Sequence, residues 1–332
     1  MNETIISKFK KLLKQIKFDI DNSKNKKAEE QNMHRLKAIK KVIQILENWP
    51  TPITTPTELK DIDGIGKHTL ERIKEILSTG KLSEIKEDIL NDSYLKYVEE
   101  LQEVFGIGAK TALQLYNKYN VKSVDDLKKL YKSGKIDLPE NIIKGLKYYG
   151  LAKENIPREE IDKINNKLQS ILRLVDVKLF GIICGSYRRL KLHSNDIDIL
   201  IVHPEIITKK DMDKKNYLEL FVNKLIEKKI IIDYYTNPEV PTKFMGLCRL
   251  DSNHPIRRID IRFLPYESYY YAILYFTGTA NFNEKMRQTA KDMGYLLNEY
   301  GLFNKKGKSF KVNSESEIFD ILGMEYIQPQ FR

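Results

Sequence analysis

The chain has 332 residues, enough for about two compact units with substantial cores. Its 41% hydrophobic and 31% charged side chains exclude a disordered or collagen-like protein. With 57 basic against 46 acidic side chains the formal charge is +11, which favours a polyanionic partner, nucleic acid first.

In chain order, the first twenty residues carry a lysine every few positions and lack the unbroken apolar stretch of a leader or membrane span. A soluble intracellular protein without membrane contact is expected, in nucleus or cytoplasm. Residues 34–47 set Leu36, Ile39, Val42, Ile43 and Leu46 on one helical face, with Lys37, Lys40, Lys41 and Glu47 opposite. Thr51 to Pro56 breaks this pattern, and a new helical segment is expected near Thr57.

An internal repeat follows. DIDGIGKHTLERIKEIL at 61–77 and EVFGIGAKTALQLYNKY at 103–119 place two Gly-Ile-Gly triplets 42 residues apart (106 − 64), each leading into an amphipathic helix. This predicts two helix-hairpin-helix motifs. Gly64, Gly66, Gly106 and Gly108 let the backbone turn and approach a phosphate, with the free amides of the next helix, and Lys67, His68 and Lys110, facing the anion. Such a grip holds sugar-phosphate without reading bases. A simple turn between packed helices is the competing reading for one copy; two copies in a basic chain favour DNA.

The pattern changes near Ile156-Pro157-Arg158, where proline is expected to end the helical region. From about Val175, short β-rich runs (VKLFGIICG, DIDILIVH, RIDIRFL) alternate with helical stretches such as 211–228. The expected fold class is α+β: an N-terminal all-helical helix-hairpin-helix region, a sheet domain, and a mixed α/β C-terminal subdomain. Cys184 and Cys248 lie in apolar runs and exclude a disulfide or zinc framework, and the five histidines lack metal-ligand spacing.

Within GSYRRLKLHSNDIDILIV at 185–202, a Gly-Ser turn and two arginines precede a strand carrying Asp196 and Asp198. Residues two apart on a strand share a face, so both carboxylates point one way and Ile197, Ile199 and Ile201 the other. RIDIRFLP adds Asp260 in a second alternating run, flanked by Arg258 and Arg262. Three hard oxygen donors suit Mg²⁺, with Mn²⁺ an alternative, and a pair of ions about 3.5–4 Å apart serves phosphoryl transfer. Ser186 and Arg189 are positioned to meet a triphosphate, and Asp260 is the candidate proton acceptor.

GSYRR, SNDIDILIVHP, TKFMGLCRL, RRIDIRFLP, YYYAILYFTGTANFNEKMR and LLNEYGLF, with the two hairpins, resemble the family X DNA polymerases, most nearly their beta branch with features of the lambda branch. The resemblance spans essentially the whole chain in the same order. It implies a lyase-like 5′-phosphate-binding domain over 1–90, a second hairpin subdomain over 91–155, a nucleotidyltransferase palm over 156–264 and a nucleotide-selecting subdomain over 265–332. It implies a gap-filling repair DNA polymerase acting as a monomer on gapped or primer-template DNA and dNTPs. Asp196, Asp198 and Asp260 would be metal ligands, with Ser186, Arg189 and Asn195 at the triphosphate. Tyr275, Phe276 and Gly278 would border the sugar and base. Asn283 and Arg287 would lie along the minor groove, with Lys243 also on DNA. Carbonyls of Lys60, Ile62 and Ile65, and of Gln102, Val104 and Ile107, would bind K⁺ or Na⁺.

Three positions depart from the family pattern. Arg72 stands where the resemblance implies the Schiff-base lysine of a 5′-deoxyribose-phosphate lyase, and a guanidinium cannot act as an amine nucleophile. Lys67 and Lys74 are the remaining amines of that helix. Asn195 replaces a glycine, and Glu284 reverses a charge near the template. The competing functions are a template-independent nucleotidyl transferase and a DNA-binding scaffold without catalysis.

Overall fold

The structure is a computed structural model that describes residues 2–21, 23, 25–86, 92–151 and 154–332. The chain divides into two compact units, residues 1–142 and 143–332. The expected boundary at 90/91 falls outside the described residues.

The first unit is helical. α1 (Glu3–Asp21) and α2 (Lys26–Glu47) are long amphipathic helices. Ile5, Phe9, Leu12 and Ile16 of α1 bury one stripe against Ile39, Val42, Ile43 and Leu46 of α2. The lysines that interrupt the N-terminal sequence are what make α1 amphipathic. A short 3₁₀ turn at Pro56–Leu59 leads to α3 (Lys67–Thr79), which adds Ile73 and Ile76 to the same core. α4 (Asp92–Gln102), α5 (Ala109–Tyr119) and α6 (Val124–Lys132) follow.

α7 (Glu140–Lys147) crosses the division between the units. β1 (Ile156–Pro157) then meets α8 (Arg158–Val175). Pro157 thus opens a helix rather than closing the helical region, as suits a residue whose missing N–H is dispensable at a helix start. Next come β2 (Phe180–Ile183), the single turn α9 (Gly185–Arg188), β3 (His193–Ser194) and β4 (Ile197–Val202). The helical stretch read as 211–228 is two pieces, α10 (Lys209–Met212) and α11 (Tyr217–Glu227), each with its own N-cap, Thr208 and Asn216. β5 (Ile231–Tyr234), β6 (Lys243–Cys248) and β7 (Arg257–Phe263) complete a five-stranded sheet of order β2-β4-β7-β6-β5.

All neighbours in this sheet are antiparallel except β4 and β7, which run parallel. One face is dry: Ile197, Ile199, Ile201, Ile259, Ile261 and Phe263 pack with α8 and α11. On the other, Leu200, Val202 and Leu264 pack with Cys184 and with Ala272 and Ile273 of α12 (Tyr269–Thr277). That cover stops short of Asp198 and Asp260, so one end of the face stays polar. α13 (Ala280–Asp292), the hairpin β8 (Leu296–Asn298) and β9 (Gly301–Phe303), and α14 (Glu315–Ile321) close a further core around Tyr271, Phe282, Met286 and Phe319.

Both cysteines are buried free thiols pushed up to about 12 by burial, which leaves them inert. Among the described residues no helix is long and apolar enough to cross a membrane.

Candidate active site

The parallel register of β4 and β7 sets Asp198 directly beside Asp260, and Asp196 lies one residue before β4 begins. One carboxylate oxygen from each of Asp196, Asp198 and Asp260 falls within 4.8 Å of the others. Burial alternates along the whole of β7, with Asp260 partly exposed between Ile259 and Ile261, whereas on β4 only Asp198 between Ile197 and Ile199 is partly exposed, because Leu200 and Val202 are covered as well.

Three carboxylates this close need a counter-charge. Burial first, then the negative charge of Asp260, pushes the Asp198 carboxyl up to about 6, against the pull of Arg189 and Arg262. Burial likewise raises Asp260, opposed by Arg258, Lys243 and Arg262. Asp260 Oδ1 is buried without a hydrogen-bond partner among the described residues. Arg258 forms an ion pair with Asp196. An orphaned acceptor and carboxyls biased toward their protonated form fit a divalent cation, which would satisfy the one and reverse the other. A cavity of about 100 Å³ lies here, lined by Asp198, Asp260, Lys243, Arg262 and Phe276 among others.

The Gly-Ser segment is a helical turn. Gly185 adopts φ +55°, and a Cβ there would lie 2.7 Å from Asp198 Oδ2, so the turn abuts the carboxylate because the position has no side chain. Tyr187 pins α9 from behind: its hydroxyl donates to Asp162 at 2.5 Å, and the Arg158 guanidinium lies 4.0 Å from its ring centre. The Ser186 hydroxyl donates to Ser194 Oγ at 2.8 Å. Arg189 caps α9 and donates from Nη1 to the Thr277 carbonyl at 2.7 Å. Asn195 is exposed beside the triad.

At the end of α12, Tyr275 and Phe276 are half-buried and meet edge to face at 5.2 Å. Arg262 lies 5.5 Å from the Phe276 ring centre and Arg287 5.8 Å from that of Tyr275. Asn283 donates to the Tyr275 carbonyl at 2.7 Å, so one N–H of its amide braces α12. Gly278 is tight: a Cβ there would lie 2.4 Å from Phe282 Cδ1. Glu284 is exposed.

The two hairpins are the same structure twice. Gly64 and Gly106 have φ of +95° and +89°, while Gly66 and Gly108 cap α3 and α5 with φ, ψ of −94°, 174° and −87°, 173°. Ile65 and Ile107 are buried anchors. Among the described residues, no atom beyond the adjoining backbone lies within 4 Å of a Cβ built at Gly66 or Gly108, so both helix starts are open. Lys67, His68 and Lys110 are exposed beside them. The carbonyls of Ile62 and Val104 accept from Ile65 N and Ile107 N at 3.0 Å, one lone pair each.

Arg72 is held by Glu84, donating from Nε at 2.6 Å and Nη2 at 3.1 Å, and Arg35 reaches the same carboxylate at 2.5 Å. Burial would raise Glu84, but the two guanidinium groups overcome it and hold the carboxyl below its ordinary value. Sequence reasoning left Arg188, Thr277 and Glu315 without roles. Arg188 joins Glu315 across 127 residues, a pairing with no local signature.

Four family matches tile the chain: the helix-hairpin-helix domain over 2–82, the fingers domain of DNA polymerase lambda over 99–150, the DNA polymerase beta palm over 155–266 and the DNA polymerase beta thumb over 272–332. The chain belongs to the family X DNA polymerases. Over 314 residues it is 32% identical to DNA polymerase lambda of Arabidopsis thaliana, covering 88% of this chain and 56% of that protein. It is 30% identical to DNA polymerase lambda of Rattus norvegicus (88% and 51% covered) and 24% identical to DNA-directed DNA/RNA polymerase mu of Homo sapiens (90% and 64%). This family X chain thus spans between about half and two-thirds of the length of these relatives.

Proposed function

We propose that the chain is a templated DNA polymerase of the gap-filling repair type, adding a deoxynucleotide to a primer 3′-hydroxyl and releasing pyrophosphate. The observation that carries this reading is the pairing of Asp198 with Asp260 across parallel strands, with Asp196 completing the triad.

Asp196, Asp198 and Asp260 would hold two Mg²⁺ ions, or Mn²⁺, which when bound neutralise triphosphate charge and make the primer hydroxyl more acidic. The primer 3′-oxygen bonds to the α-phosphorus as the bond to the pyrophosphate oxygen breaks. Asp260 accepts the hydroxyl proton. Ser186, Arg189 and Asn195 bind the triphosphate, while Tyr275, Phe276 and Gly278 shape the sugar and base pocket. Asn283, Arg287 and Lys243 face DNA.

The hairpins carry the sequence-independent grip. The first would take the downstream 5′-phosphate and the second the primer strand, with K⁺ or Na⁺ on the carbonyls of Lys60, Ile62 and Ile65 and of Gln102, Val104 and Ile107. The enzyme would work as a monomer in four domains, 1–90, 91–155, 156–264 and 265–332. It would lack 5′-deoxyribose-phosphate lyase activity, because Arg72 is a guanidinium locked on Glu84. Borohydride trapping on an abasic 5′ end tests this, and a covalent adduct would contradict it.

The deciding assay supplies a one-nucleotide gapped duplex, Mg²⁺ and each dNTP separately. Extension only by the complementary dNTP supports templated synthesis. Extension by any dNTP makes the chain a template-independent transferase, and tight binding without extension makes it a scaffold. Asp260→Ala should abolish extension and leave gapped-DNA binding intact.

A further inference from the structure

Each hairpin turn is covered by a side chain from a helix outside the motif. A Cβ built at Gly64 would lie 2.5 Å from Lys41 Cε and 3.0 Å from Lys41 Nζ, so this α2 lysine lies across the first turn. A Cβ built at Gly106 would lie 2.7 Å from Nδ2 of Asn141, in the first turn of α7. A nitrogen donor thus stands at the same place in both copies, on a lysine in the first and a neutral amide in the second. The tips differ too, since Asp63 precedes the first Gly-Ile-Gly and Phe105 the second. Lys41 Nζ donates to Asp63 Oδ2 at 2.6 Å, and the two side chains are 51% and 98% exposed. That hydrogen bond first, then the ammonium charge, holds the Asp63 carboxyl below its ordinary value.

We propose that Lys41 is a further DNA-phosphate ligand of the first hairpin, kept at the turn by Asp63. The proposal rests on the reading above that this hairpin grips DNA. An ammonium carries three N–H donors, and Asp63 engages one of them. The others can reach a phosphate oxygen without breaking that bond. Gly64 sets the reach, because any side chain there would push the lysine off the turn. A phosphate at the first hairpin is then met by the amides that open α3 and by a full positive charge from α2, where backbone amides alone offer partial charges. Asp63 acts in two directions: it orders the ammonium, and as an exposed anion it repels the phosphate. Asn141 brings no charge to the second hairpin, so the two grips differ in their dependence on salt.

The test is the salt dependence of binding to a one-nucleotide gapped duplex with a downstream 5′-phosphate, followed by fluorescence anisotropy. Loss of one phosphate contact lowers the slope of log Kd against log salt by about 0.9, which is about eightfold in affinity at 0.1 M salt. Lys41→Met, which keeps an alkyl chain over Gly64, should show that loss, and Lys41→Arg should keep the wild-type slope. Asp63→Asn keeps an acceptor for the ammonium and removes the charge facing DNA, so it should bind about two- to threefold tighter. A lysine that only braces the hairpin requires instead that Lys41→Met and Asp63→Asn weaken binding equally at every salt concentration. That result would overturn the proposal, as would a wild-type slope in Lys41→Met. Should Lys41→Met fail to fold, Asp63→Asn decides: tighter binding supports the proposal, and unchanged or weaker binding overturns it. A wild-type protein that does not bind gapped DNA refutes the hairpin reading itself, a result separable from any of these.

Discussion

Gly185→Ala tests whether the site depends on the close approach of α9 to β4. The wild-type position combines φ +55° with a virtual Cβ only 2.7 Å from Asp198 Oδ2. Ordinary contact begins at 3.4 Å, so the carboxylate or the turn must yield by about 0.7 Å. The left-handed backbone adds about 1–2 kcal/mol for a residue with a Cβ. For a unit of this size that lowers Tm by about 2–8 °C at about 2–4 °C per kcal/mol. Misplacing a catalytic group by around 1 Å costs about a hundredfold in rate, so kcat for gap filling should fall by about 50- to 100-fold. Gapped-DNA affinity should stay within about twofold, because the hairpin glycines are untouched. Calorimetry, single-turnover extension and a fluorescence binding titration on one preparation would read all three. A Tm drop with kcat within threefold of wild type would refute the idea that the position of Asp198 is set by the missing side chain.

Leu190 has φ +61° and is 59% exposed, so Leu190→Gly relieves left-handed strain at little packing cost. Tm should rise by a few degrees, the strain of about 1–2 kcal/mol exceeding the added unfolded-chain freedom of about 0.5–1 kcal/mol, and a fall would contradict this. Arg257 and Glu160 form a buried bidentate pair at 2.9 and 2.7 Å. Arg257→Met alone should cost about 3–5 kcal/mol in urea unfolding, and adding Glu160→Leu should recover most of it; equal losses in the single and double variants would argue against an ion pair. The backbone N–H of Lys178, then the Tyr217 hydroxyl and His203, hold the Asp176 carboxyl down at about 2. A depressed carboxyl stabilises the fold above its unfolded pKa of 3.8, and this contribution is lost as pH falls toward 2. Asp176→Asn should therefore lose on the order of 1 kcal/mol at neutral pH, allowing for solvent screening, with the gap to wild type closing between about pH 4 and 2. Chemical denaturation across that range reads it, and a pH-independent gap would show that the charge is not the cause.

Local periodicity made much of the fold legible. The stripe at Leu36, Ile39, Val42, Ile43 and Leu46 forecast α2, although the helix begins ten residues earlier than the stripe (36 − 26). The repeated Gly-Ile-Gly forecast two hairpins whose glycine torsions agree within a few degrees, because a positive φ before a helix start leaves few alternatives. Pro157 was misleading, since a proline beside a helical run fits its start as well as its end. The 211–228 stretch concealed a break, because Asp213, Lys214, Lys215 and Asn216 between the two pieces include no proline or glycine to mark it.

Alternation around Asp198 and Asp260 settled by itself that these two aspartates face away from the flanking isoleucines, since strand geometry permits nothing else. That Asp198 stands beside Asp260 was decided by the crossover joining β4 to β7, which sets the register through packing of α11 and the dry sheet face. Arg72 was readable as a loss of amine chemistry, but its capture by Glu84 was not. The same holds for Arg258 on Asp196 and for Glu315 between Arg188 and Arg332. Such charge pairs join residues from 12 to 127 positions apart, and which of many basic side chains meets a given carboxylate depends on how whole elements pack.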